Sequence, residues 1–513
     1  MNDDAPQSEA ETDQCSAQAA DKPRAAGDAF PIVGVGASAG GLEALKTFLD
    51  HMPADSRMAF VLVVHLSPDH KSHMAELLSR STDMPVTKAE DAVLVEPNHV
   101  YVIPPNATLT IRDRTLRLTK AQPRPQRLPI DNFFCSLAED QGRFAICIVL
   151  SGTGSDGTEG LIAIKQHGGM AMTQDEESAA YGEMPHSARA TGQGDYVLPV
   201  EEMPARLLEY IEHLADIDGE EVATGLAQGG CDQLRRILAL LRSSTGYEFS
   251  QYKESTIIRR IERRMQVTRS ASPQDYLEYL RGSSAELKLL FNDMLIGVTQ
   301  FMRDTAVFER LASAIVPEIC AGKDDDDKVR IWAPGCSSGE EAYSIGMLFL
   351  EELQRSACNA RPMIFATDID EKALEAGRAG VYPELISNYV SPERLKQFFR
   401  KHDYGYRVAK CLRETCTFSK HNLIKDPPFS RLDMISCRNL LIYLAPALQK
   451  QVIPIFHYAL RPNGILLLGP SETVTGFEEL FETEDRKQCI YRRKETAVAP
   501  RHKFPMGHYS KLL

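Results

Sequence analysis

The sequence predicts an α/β protein, with two parallel-sheet domains and an all-helical region between them. Three observations carry this. Strand-like and helix-like segments alternate from Pro31 to about Pro199, as in strands joined by crossover helices. The stretch from Gly230 to about Val316 reads as helix, with Arg-rich faces. A second alternation begins at VRIWAPG (329–335) and runs to about Arg493. Each alternation opens on a glycine-rich turn between a strand and a helix, at 32–41 and at 330–340.

Residues 1–28 are polar and acidic and are expected to be a disordered leader. The first domain is expected over 29–205. Its strands are PIVGVG, AFVLVVH, HVYVIP, FAICIVL and DYVLP; its helices are GLEALKTFL, SHMAELLSR and GTEGLIAIKQH. A helical stretch, EEMPARLLEYIEHLADI, leads into DGEEVATGLAQGG, so a linker is placed over 206–229. The helical region is expected over 230–316, the second sheet domain over 317–494 and a tail over 495–513. The acidic run Asp324–Asp327 reads as a solvated loop before a strand.

Composition narrows the function. At 513 residues the chain is too long for one core, since domains average roughly 150 residues. Its net charge of −13 argues against nucleic acid as a partner. No apolar run approaches the roughly 20 residues that span a bilayer, so no membrane insertion is expected. Without a signal pattern the expected location is the cytoplasm. The 11 cysteines form no CxxC pair, so no metal site is expected from them. His65, His70 and His73 are spaced like ligands but lack a matching carboxylate cluster.

The first glycine turn is IVGVGASAGG, 32–41. A dinucleotide site needs an acid at the end of the next strand. The next strand, AFVLVV, ends instead in His65. A histidine there suits a serine nucleophile as its base. The strand FAICIVL leads into SGTGSDGTEG, which carries Asp156. Ser38, His65 and Asp156 then all fall just past the carboxyl ends of parallel strands, where open sheets form sites. Turn amides near Ser38 are available to receive an oxyanion. GASAGG, VVHLSPDH, HVYVIPPNATL, SGTGSDGTEGL and QDEESAAYGEMPHSA, in this order, resemble the catalytic domain of the chemotaxis protein-glutamate methylesterase family, CheB. The resemblance implies a doubly wound domain with Ser38, His65 and Asp156 as a catalytic triad. Two departures are Ala39, where the family usually has Thr, and Thr153, where it usually has Met. The family's receiver domain is not expected among these residues, which begin the resemblance directly at the catalytic domain.

In the second turn, APGCSSGEE is followed by a strand, MIFAT, that ends in Asp368. This is the ribose-binding arrangement that the first turn lacks. No P-loop lysine follows, and Glu340 and Glu341 stand where a phosphate would need donors. A nucleoside bearing a positive group, such as S-adenosylmethionine, fits better. DMLIGVTQFMRD, APGCSSGEEAYSIGML, ATDIDEKALEAGRAGVY, FSKHNLIKDPPF and ISCRNLLIYL resemble the chemotaxis receptor glutamate methyltransferase family, CheR, over about 230–494. The resemblance implies a Rossmann-like domain using S-adenosylmethionine, with an inserted β subdomain between Val381 and Cys416. It implies that Thr299, Arg303, Glu341, Asp368, Asn422, Leu423, Arg438 and Asn439 line the cofactor site and that Tyr443 lies near the transferred methyl. Gly297 and Met302 depart from the family pattern. Arg303 or Arg438 is expected to steer a carboxylate. Arg259, Arg260, Arg263 and Arg264 form a basic helix face, readable either as solvated or as a dock for acidic receptor helices.

Together the two resemblances imply an adaptation protein with opposed activities. One half would make glutamyl methyl esters on a methyl-accepting chemotaxis-type receptor or other sensory protein, and the other would hydrolyse them. Fusions of this kind often continue into sensory and kinase modules, so a sensory kinase is a further expected partner. Two alternatives stay open: a catalytically silent esterase half that docks and regulates, and a nucleotide site at the first turn.

Overall fold

The computed structural model describes residues 30–65, 73–120, 128–191, 193–219, 231–295, 297, 299–402 and 405–495. The expected leader, His70, the linker's 220–229 and the tail beyond 495 lie outside the described residues.

The first domain contains β1 (Ile32–Ala37), β2 (Ala59–Val64), β3 (Val86–Lys88), β4 (Val93–Leu94), β5 (Val100–Val102), β6 (Ala107–Arg112), β7 (Thr115–Lys120), β8 (Ala145–Val149), β9 (Met170–Gln174) and β10 (Tyr196–Leu198). Seven of them form a sheet in the order β10-β9-β8-β1-β2-β5-β3, and every pairing in it is parallel. The central strands are buried along their whole length, as a sheet covered on both faces requires. Helix Gly41–Asp50 and helix Met203–Gly219 cover one face through Leu45, Phe48, Leu207 and Tyr210. Helices Pro129–Gln141 and Thr158–Gln166 cover the other through Phe133, Phe134, Leu161 and Ile164. Helix Met203–Gly219 runs across the boundary expected at residue 205 and packs on the first core. The winding reverses between β1 and β8, which makes a switch point there.

The region after residue 230 is helical, with helices Cys231–Thr245, Glu254–Thr268, Pro273–Gly282 and Ser284–Met294. Helix Glu254–Thr268 carries the four arginines, and both readings of that face fail. Arg260, Arg263 and Arg264 are buried. Arg260 Nη1 donates to the Lys165 carbonyl at 3.1 Å. Arg263 bridges Asp195, itself 2.5 Å from Lys165 Nζ, and Asp293 at 2.6 Å. Arg264 forks onto Glu286 at 2.8 and 2.6 Å. Only Arg259 is exposed, and its stem lies against Gly168. The face is thus an interface with the first domain, because acids remote in sequence converge on it.

The second sheet contains β11 (Lys328–Pro334), β12 (Arg361–Asp368), β16 (Cys416–Lys420), β17 (Leu432–Cys437), β18 (Leu460–Leu468), β19 (Phe481–Asp485) and β20 (Ile490–Arg493), in the order β16-β12-β11-β17-β18-β20-β19. It is parallel from β16 to β18, while β20 and β19 join antiparallel. Between Val381 and Cys416, β13 (Val381–Pro383), β14 (Phe399–His402) and β15 (Gly405–Val408) form a small antiparallel sheet.

Candidate active sites

β8, β1 and β2 are neighbours, and the residues just past their ends meet. Ser38 Oγ lies 3.1 Å from His65 Nδ1, and His65 Nε2 lies 2.7 Å from Asp156 Oδ2. A carboxylate on Nε2 fixes the ring proton there, which leaves Nδ1 to accept from the serine hydroxyl. Trypsin-type triads use the ring in the opposite sense. Asp156 is buried, while the imidazole side chain is one-third exposed (33%) and open to substrate.

The turn itself differs in part from expectation. The Ser38 amide is spent on the Ser151 carbonyl at 3.0 Å. Among the described residues no backbone hydrogen bond is donated by the Ala39 or Gly40 amide. Ser151, which the sequence did not single out, fastens the turn. Its hydroxyl donates to the Ala39 carbonyl at 2.9 Å and accepts from the Tyr181 amide at 3.0 Å. Gly152 is needed because a Cβ there would meet Met184 Sδ at 2.1 Å and Ser38 Cβ at 2.8 Å. His73 pairs with Glu76.

The second site is an open cleft at the carboxyl ends of β11, β12 and β17. Thr299, Arg303, Glu341, Asp368, Asn422, Leu423, Arg438, Asn439 and Tyr443 all line it. So do Tyr247, Phe249, Tyr252 and Met294 of the helical region, which the sequence did not single out because their approach is tertiary. Asp368 accepts the Ser337, Ile369 and Asp370 amides at 2.8, 2.7 and 2.9 Å. Three of about four lone-pair directions are then used, and burial pushes its carboxyl up. Arg438 is not available to steer an acceptor: it donates to Glu341 at 2.9 Å, to the Arg303 carbonyl at 2.9 Å and to Asp304. Glu341 also takes the Ser436 hydroxyl at 2.6 Å. Glu472 holds the loop of Asn439 and Tyr443 by accepting the Asn439 and Ile442 amides.

This donor set suits S-adenosylmethionine. The turn offers carboxylates, not cations, at the helix start. Aromatic and apolar groups wall the cleft, and Asn439 Oδ1 is buried there without a partner among the described residues.

The CheB methylesterase family matches residues 33–207. The CheR methyltransferase all-alpha domain matches 232–295, and the CheR S-adenosylmethionine-binding domain matches 297–490. The chemotaxis protein methyltransferase of Vibrio parahaemolyticus is 34% identical over 256 residues, which cover 49% of this chain and 92% of that protein. The chain belongs to the CheR methyltransferase family and carries a CheB methylesterase domain ahead of it. An uncharacterized 104.1 kDa protein of Rhodobacter capsulatus is 37% identical over 446 residues, 83% of this chain, and this chain spans 47% of its length. The Thermotoga maritima CheB methylesterase catalytic domain is 29% identical, with 99% of it and 36% of this chain covered and a TM-score of 0.34. The order is therefore a CheB-type domain, a CheR all-alpha domain and a CheR domain whose cofactor is S-adenosylmethionine. Among the described residues no helix is long and apolar enough to cross a membrane.

Proposed function

We propose that this chain both methylates and demethylates glutamate side chains of a chemotaxis-type receptor or other sensory protein in the cytoplasm. The observation that carries the esterase half is the hydrogen-bonded chain Ser38–His65–Asp156. In this reading Ser38 Oγ attacks the ester carbonyl while His65 Nδ1 takes its proton. The amides of Ala39 and Gly40 receive the oxyanion. His65 then gives that proton to the departing methoxide oxygen, so that methanol leaves and an acyl-serine remains. Water, deprotonated by the same nitrogen, releases the glutamate and restores Ser38. Asp156 holds the tautomer and favours the charged ring.

The CheR half needs less chemistry. A glutamate with an ordinary pKa of about 4.3 is already ionised at neutral pH and needs no base. When bound, S-adenosylmethionine supplies a sulfonium-activated methyl group. The chain's own residues supply alignment. Asp368, Asn422, Leu423 and Asn439 hold the nucleoside; Glu341, braced by Arg438, and Thr299 complete the wall; Arg303 and Tyr443 stand at the acceptor's approach.

The test is incubation of the protein with candidate receptors and methyl-labelled S-adenosylmethionine. Label should accumulate with Ser38→Ala and be absent with Asp368→Ala. Methanol release from premethylated receptor that is unchanged by Ser38→Ala would point instead to a silent docking half.

A further inference from the structure

Asp156 sits in a loop that should not hold it still. Gly154 and Gly157 both have positive φ, +85° and +97°, in a segment, SGTGSDGTEG, rich in the residue with most backbone freedom. Yet its carboxylate must keep a 2.7 Å bond to His65. The restraint comes from Asp131, in the first turn of helix Pro129–Gln141. Asp131 Oδ1 accepts the Gly157 amide at 3.0 Å and the Gly160 amide at 2.7 Å. In return, Asp156 accepts the Ile130 amide at 3.1 Å and the Asp131 amide at 2.8 Å. Asp131 therefore caps the start of helix Thr158–Gln166, and Asp156 caps the start of helix Pro129–Gln141, each as an acceptor for amides that have no partner within their own helix.

We propose that Asp131 is the positioning residue for the triad acid. It clasps the two amides that follow Asp156 and so fixes the carboxylate under the imidazole. The inference rests on the hydrolase reading of this site. The helix pair leaves no slack for another arrangement: a Cβ on Gly160 would stand 2.3 Å from Phe134 Cβ. A displacement at Asp131 is therefore passed directly to Asp156.

Asp131 has a further property that separates it from a simple cap. Both acids are buried. Burial first, and then the charge of Asp156, push the Asp131 carboxyl well above the usual carboxylate range. Its Oδ2 is buried with no partner among the described residues. A neutral Asp131 with the proton on Oδ2 and the acceptor on Oδ1 leaves the negative charge of the pair on the acid that faces the imidazole. An asparagine reproduces that neutral acceptor, so the clasp requires the shape and not the charge.

The experiment uses the full chain and a peptide glutamate γ-methyl ester, with methanol release as the readout. Asp131→Ala should lower kcat by about a hundredfold, the cost of about 1 Å of misplacement, with KM within about twofold and Asp131→Asn within about threefold of wild type. S-adenosylmethionine binding by dialysis should be unchanged in both, because the cleft lies in the other half. Should the alanine variant not fold, Asp131→Ser, too short to reach both amides, is judged by the same kcat and KM. A wild-type kcat in Asp131→Ala or Asp131→Ser, or an asparagine variant as impaired as the truncated one, overturns the inference. Ser38→Ala run alongside separates the failures. If it leaves methanol release intact, the hydrolase reading falls and this inference with it. If it abolishes release while Asp131→Ala keeps its kcat, only the role of Asp131 falls.

Discussion

The two glycine turns of this chain are the same backbone device put to different chemistry. Each follows a central parallel strand, β1 or β11, and each feeds a helix. Each is tied to a neighbour: the Ser38 amide to the Ser151 carbonyl, and the Ser337 amide to Asp368. The difference lies at the end of the adjacent strand. After β2 it is His65, whose ring accepts from a hydroxyl. At the end of β12 it is Asp368, whose lone pairs organise the turn. Exchanging an imidazole for a carboxylate at one strand end therefore separates a site suited to acyl transfer from one suited to a nucleoside.

The largest break in that comparison comes from Ser38→Ala. Ester hydrolysis should fall on the order of 10⁴- to 10⁶-fold, as for loss of a nucleophile elsewhere. Methyl transfer by the same protein should keep its rate. A parallel fall in both activities would mean that the two sites are not independent.

The next largest effect tests how firmly the two halves are joined. Asp195 is buried between Lys165 of its own domain and Arg263 of the helical region. Asp195→Asn leaves two buried cations short of a counter-charge, which costs about 3–5 kcal/mol when one partner of a buried pair is removed. Urea unfolding should begin earlier, and the CheB-type core should melt apart from the CheR-type core. An unchanged midpoint would show the network to be dispensable.

What the sequence made legible follows from the range of the contacts involved. The meeting of Ser38, His65 and Asp156 could be read because each follows a strong apolar strand, and strand ends in a parallel sheet converge. The cleft residues could be read from motifs that keep their spacing. Asp131, Ser151 and the partners of the arginine helix could not. Their meaning lies in contacts such as Arg263 with Asp195, 68 residues apart, and no local period encodes those. An i, i+4 row of arginines looks the same whether water or a second domain covers it. The antiparallel strands β19, at the sheet edge, and β20 beside it are not legible either, being short and without a long apolar run.

A smaller change tests the tight passage behind the nucleophile. Gly152→Ala would drive a methyl against Met184 and Ser38, and overpacking of this kind costs about 1–3 kcal/mol. The expected outcome is a lower melting temperature and slower hydrolysis, with cofactor binding preserved. Normal hydrolysis in that variant would mean that the loop carrying Asp156 can withdraw without disturbing Ser38.

The smallest effect concerns the second turn alone. Glu340 takes two contacts from the Ser338 hydroxyl, at 3.0 and 2.8 Å, and burial raises its pKa from 4.5 to about 7. Between those pH values the folded chain holds a proton that the unfolded chain has released. Stability therefore falls as pH rises through this window. Glu340→Gln keeps an acceptor for Ser338 and cannot ionise, so it should flatten that slope by on the order of 2 kcal/mol across the window. Urea midpoints measured in half-unit pH steps read the slope directly. No residue of the first turn, ASAGG, ionises, so the esterase-side replacement Ser38→Ala should leave the slope as it is. A slope retained in Glu340→Gln would place its origin elsewhere, with Glu159, raised to about 6 by burial, as the next group to replace.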